Sequence, residues 1–151
     1  MAQRFLNDPA GFGVGYPVIG ANSIVFSEVD AVYINTSGFL DLATTSSTVL
    51  GFALETVTMA SDNQTVAKVC PKYCLPYGVL VVYPSDQACT QTDVGAYADL
   101  SSNTTNAMTI NLAAGSSGQF FVQGFDPDED GSTSKVVVSI AEEQQSARAQ
   151  A

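Results

Sequence analysis

Short runs of β-branched and aromatic residues recur along this chain, and each is cut off within a few positions by Gly, Pro, Asn, Asp or Ser. Runs of that length and composition suit a pleated, half-buried strand, and the residues between them supply turns. The pattern predicts about ten strands and little helix. Pro17-Val18-Ile19, Ser23 to Phe26, and Ala31 to Asn35 open the series. Thr36-Ser37-Gly38 then turns the chain into Phe39 to Leu42, a hairpin signature. Val49 to Leu54 is continuously apolar, as expected of a strand covered on both faces. Thr56 to Met59, Thr65 to Cys70 and Met108 to Leu112 alternate, so each should keep one wet face. Gly78 to Tyr83 is the most apolar run and is expected to be central, with a short helical turn through Ala88 after it. Gly95 to Leu100 should end in a loop over Ser101 to Asn106. Gln119 to Phe125 and Lys135 to Ile140 read as a last hairpin across an acidic loop. The fold class is all-β, a compact β-barrel or β-sandwich.

At 151 residues the chain suits one domain, long enough to bury roughly 70% of its unfolded surface. Three segments are expected: an N-terminal arm at 1–15, a β-rich domain at 16–140 and a tail at 141–151. Pro9, Gly11, Gly13 and Gly15 break the arm, yet it carries Phe5, Leu6, Phe12 and Val14. Such a segment either orders on a partner or folds back on its own sheet. The tail is rich in Ala, Glu and Gln, has no apolar face, and as a helix would be marginal alone.

Histidine is absent, which removes Ser/His/Asp and Cys/His nucleophiles and His-containing zinc sites. No carboxylate pair is singled out by spacing, and no Trp is present to stack a sugar. Gly11-Phe12-Gly13-Val14-Gly15 resembles half a phosphate loop but lacks the following Lys-Ser/Thr. The expectation is therefore a protein that is not an enzyme and takes no cofactor. Five basic residues are scattered against fifteen acidic ones, so neither nucleic acid nor an anionic membrane is an expected partner. Charged residues make up 13% of the chain, against about 25% in ordinary domains. The surface must then be largely Ser, Thr, Asn, Gln and Gly, which suits close packing against other subunits.

Cys70, Cys74 and Cys89 read first as free thiols, with one disulfide or a metal as alternatives. Asp126-Pro127-Asp128-Glu129-Asp130-Gly131 begins like a calcium loop, making Asp126, Asp128 and Asp130 a weak metal candidate. Position 12 of such a loop would be Val137 rather than Glu, so a solvated acidic loop is the first reading. The N-x-S/T triplets at Asn35, Asn63 and Asn103 read as loop chemistry rather than glycan sites, since the N-terminus lacks the apolar stretch of a signal peptide.

Val49 to Thr58, the Asp62-Asn63 turn and Thr65 to Val69 together resemble a tailed-bacteriophage head decoration, or capsid cement, protein. Asp93 to Leu100, Phe120 to Pro127 and Val136 to Ile140 extend the resemblance, which covers about residues 49–140. Positions 1–48 match only in general character, and Cys70 to Cys89 has no counterpart. The resemblance implies a β-rich protein on the outer surface of an icosahedral capsid, made in the host cytoplasm. It implies a homotrimer that cements neighbouring major capsid subunits. Phe5, Leu6 and Phe12 of the arm are then the expected capsid contacts, disordered when free and ordered when bound. A phage fibre or tail-associated adhesin module that binds host glycans is the alternative.

Overall fold

The apolar run at 49–54 becomes the middle layer of the molecule. The computed structural model describes residues 3–11, 13–62, 68–112, 118–126 and 134–141. Within them, strand β5 (Gly51–Ala53) is buried along its whole length. Its side chains alternate between two cores, because successive residues of a strand point to opposite faces. Phe52 enters a large cluster with Tyr83, Leu100 and Phe120. Ala53 enters a smaller one with Phe26, Leu40 and Met59. The flanking strands β3 (Ala31–Ile34) and β7 (Tyr73–Cys74) obey the same rule. Ala31 and Cys74 join the cluster of Phe52, whereas Val32 and Tyr73 join that of Ala53. Gly51 is required by close approach: a Cβ there would strike the main-chain carbonyl of Cys74.

With β4 (Leu40–Leu42) these strands make a four-stranded antiparallel sheet in the order β4-β3-β5-β7. The expected hairpin is present between β3 and β4. Asn35 Oδ1 accepts the N–H groups of Ser37 and Phe39 at 3.0 and 3.1 Å and closes the turn. A two-stranded ribbon of β2 (Val25–Phe26) and β6 (Val57–Thr58) lies over the smaller core.

The larger core is wrapped by a six-stranded sheet, curled into a half-barrel. Its members are β1 (Arg4–Phe5), β8 (Val81–Pro84), β9 (Tyr97–Thr104), β10 (Ala107–Asn111), β11 (Phe120–Phe125) and β12 (Lys135–Ile140). Their order is β1-β8-β12-β11-β9-β10. The far strand curls back toward β8: Ser85 bridges Ile110, and the Asp86 N–H donates to the Ile110 carbonyl at 2.9 Å. The last hairpin forms as expected between β11 and β12. The protein is thus all-β, with the mixed character of a sandwich and a partly closed barrel.

Several local expectations change. Residues 17–19 form no strand; only Gly20 bridges to Leu40. Strand β8 is interior but one place in from the edge, because β1 covers its outer side. No helical turn runs through Ala88. Instead a 3-10 turn forms at Gln91–Asp93, with the Asp93 carboxylate accepting the Thr90 N–H at 2.7 Å. Ser101 to Thr104 extends β9 rather than forming a loop. The chain reverses at Thr105 and Asn106, where Asn106 takes a left-handed φ of 58° that Asn tolerates. Lys68 to Cys70 is irregular, and the rest of the expected strand at 65–67 lies outside the described residues, as does the tail at 142–151.

Candidate interaction surface

The first described residues are built into the sheet, the second of the two arrangements open to this segment. Phe5 pairs with Val81 and Arg4 with Val82 in antiparallel register. The Phe5 ring meets Phe52 edge-on, with centroids 6.3 Å apart. Leu6 donates its N–H to Leu80 at 2.9 Å and is half-buried. Phe12 lies outside the described residues. A segment this short holds because its polar side chains are used as fully as its apolar ones.

Gln3 is wholly buried. Its amide nitrogen donates to Asp30 Oδ1 at 2.8 Å and to the Glu28 carbonyl at 3.0 Å. Its amide oxygen accepts the Met108 N–H at 3.2 Å. Asp30, also buried, accepts the N–H groups of Ser27 and Asn106, both at 2.9 Å. Burial pushes the Asp30 carboxyl above its ordinary value, and the donors Gln3, Ser27 and Asn106 oppose that shift. Arg4 reaches Asp126 in a two-pronged ion pair. Asn7 accepts the Leu80 N–H at 3.0 Å through its oxygen and donates to the Gly78 carbonyl at 2.8 Å. Asp126 is therefore committed to Arg4, while Asp128 and Asp130 lie outside the described residues. Among the described residues, no group of three acidic or cysteine side chains is placed to hold a metal ion.

A second feature follows directly along the chain. Gly15 donates its N–H to Tyr73 at 3.0 Å, and Leu75 donates to Gly13 at 3.2 Å, so residues 13–15 line the outer edge of β7. Val14 is the bridge partner of Cys74, and in such a pair its own N–H and carbonyl point away from β7. Here the surface turns apolar: Val14 is 57% and Tyr16 89% exposed. Val14, Gly15 and Pro17 on one side and Cys70, Pro71 and Lys72 on the other enclose a cleft of about 360 Å³.

All three cysteines are free, Cys70 exposed and Cys74 and Cys89 buried. Burial raises the Cys74 thiol to about 11, so it is an unreactive part of the core at neutral pH. Hydrophobicity alone marks Phe5 and Leu6. Nothing local marks Gln3, Asn7 or Asp30, whose roles depend on partners distant along the chain. Comparison with known proteins finds no matching family model, no matching curated protein and no matching solved structure.

Proposed function

We propose that this chain is a structural virion protein, not an enzyme, that decorates the outer surface of an icosahedral phage capsid. In this reading it acts as a homotrimer and cements neighbouring major capsid subunits. The observation that carries the reading is where the resembling segments fall. Val49 to Leu54 supplies the middle layer through β5, while Tyr97 to Leu100, Phe120 to Phe125 and Val136 to Ile140 supply three successive strands of the half-barrel. These four resembling segments belong to the frame of the fold; of the others, Asp62 lies in a turn, Lys68 and Val69 are irregular, and 63–67 lie outside the described residues. A surface poor in charge and an exposed apolar edge at Val14 and Tyr16 add area suited to docking on protein.

A protein that binds only the expanded shell stabilises it by mass action. Purified protein should co-sediment with undecorated expanded capsids of the parent phage and raise the temperature at which they release DNA. Failure to co-sediment, with unchanged release, refutes the proposal. Binding to host cells instead would point to an adhesin.

A further inference from the structure

We propose that the cleft filled by residues 3–7 is a strand-accepting site, and that it takes the same segment from a second copy of this chain. The side-chain bonds of Gln3 to Glu28 and Asp30, of Arg4 to Asp126 and of Asn7 to Gly78 and Leu80 each reach far along the sequence. The nearest partner, Glu28, is 25 positions away. The cleft recognises the segment by chemistry as well as by sheet pairing. A buried carboxylate, Asp30, receives the Gln3 amide, and a second, Asp126, receives the Arg4 guanidinium. Between them Phe52 receives the Phe5 ring, and the main chain at Gly78 and Leu80 receives both ends of the Asn7 amide. That spacing of amide, cation, ring and amide is supplied by this chain's own N-terminal segment, so a second copy is the occupant that fits.

The chain beyond the segment is arranged as a hinge. A 3-10 turn at Pro9–Gly11 is followed by Gly13 at φ 100°, a conformation glycine adopts without strain. Residues 13–15 are then fixed to β7 independently of β1. Rotation about Gly13 can carry residues 3–7 to a neighbour while Val14 stays in place. Exchange of an identical element keeps every contact, so the balance rests on concentration. A short tether presents its own segment at an effective concentration of about 1 mM, so self-insertion prevails in dilute solution. Exchange becomes comparable near that concentration, as it would where copies are crowded on a lattice. The inference does not rest on the capsid reading, since exchange in solution stands whatever surface the protein binds.

The test uses full-length chains carrying Cys70→Ser, so that no exposed thiol competes. One step beyond the Phe5–Val81 pair the Leu6 N–H donates to the Leu80 carbonyl at 2.9 Å, which brings the two main chains close enough for a disulfide between residues 6 and 80. A chain with both Leu6→Cys and Leu80→Cys should link within itself on mild oxidation. Two chains, one with Leu6→Cys and the other with Leu80→Cys, can join residue 6 to residue 80 only by exchange. After the two are unfolded and refolded together near millimolar concentration, that linked pair is expected, and its ratio to single chains should fall in proportion to dilution. Absence of the 6-to-80 link between chains at every concentration overturns the proposal, as does failure of the doubly substituted chain to link. A readout free of substitutions uses unlabelled and isotope-labelled natural chains. Mixed-mass oligomers should form after co-refolding but not on simple mixing. Their absence, or equal formation on simple mixing, also overturns it.

Discussion

Arg4 and Asp126, 122 positions apart, meet in a two-pronged ion pair, Nη2 to Oδ1 at 2.6 Å and Nη1 to Oδ2 at 2.9 Å. The Asp126 side chain is 2% exposed and that of Arg4 32%. Removing one partner of a buried pair costs about 3–5 kcal/mol, and an exposed pair is worth about 0.2–1 kcal/mol. Arg4→Ala should therefore destabilise the protein by about 2 kcal/mol, since it leaves a buried carboxylate without its cation. The urea midpoint measures this. A change below about 0.5 kcal/mol would mean that the pair does not hold β1. Deletion of residues 2–14 should lower the melting temperature sharply, opposite to what a free arm would give.

The Asp30 carboxyl titrates above its ordinary value of 3.8 because it is buried, despite its three donors. The folded protein thus binds this proton more tightly than the unfolded chain does. The stability Asp30 contributes by protonation is complete below 3.8 and is lost as pH rises through the raised native value. Asp30→Asn removes the titration while leaving the other carboxylates in place. The stability of the natural protein relative to that variant should fall as pH rises from 3.8, then level off. A difference that is flat, or that grows with pH, would show that Asp30 is not the group responsible.

The all-β class and the two hairpins at 31–42 and 119–140 were legible in the sequence because their signals are local. Alternation along Met108 to Leu112 sets one face, and the apolar run at Val49 to Leu54 marks a strand covered twice. What was not legible depends on distant partners. Ser101 to Thr104 reads as a loop by composition, but pairing with β10 draws it into a strand. Tyr73 and Cys74 sit among prolines and form a strand only because β5 lies beside them. The N-terminal segment shows the same limit. Its glycines and proline signal a break at 9–15, but the groups that seat Gln3 and Arg4 lie in the turn before β3 and at the end of β11. No local pattern announces such a match.

Gln119 does for the loop at 44–47 what Gln3 does for the N-terminus. Its buried amide nitrogen donates to the carbonyls of Thr44 and Ser47 at 2.7 and 2.6 Å, and its oxygen accepts the Leu100 N–H at 2.9 Å. Each buried polar group left unsatisfied costs about 1–3 kcal/mol. Gln119→Ala should cost about 3 kcal/mol, with water replacing some of the lost bonds. Hydrogen exchange at the Leu100 amide should accelerate by more than the global loss predicts. Unchanged protection there would mean that the loop is held by other contacts.

Phe52 is the largest side chain that the middle sheet, with Ala31 and Cys74, packs against the half-barrel. Its ring lies 6.3 Å from Tyr83 and 6.5 Å from Phe120, and those two rings stand edge to face at 6.0 Å. The three are fully buried, so a truncation leaves a cavity at the junction of the two sheets. Phe52→Ala should cost about 3–5 kcal/mol. Tyr83 adds a polar tie, since its hydroxyl donates to the Val29 carbonyl. Burial holds that hydroxyl protonated well above its ordinary range, with the nearby Asp30 charge acting in the same direction. The bond to Val29 therefore persists into alkaline solution. Tyr83→Phe removes the hydroxyl and leaves the ring, and its cost should be about 1–2 kcal/mol, the value of one buried hydrogen bond with its acceptor left open. Denaturant unfolding of the two variants should rank Phe52→Ala well below Tyr83→Phe. Equal losses would mean that the hydroxyl, rather than aromatic packing, joins the sheets.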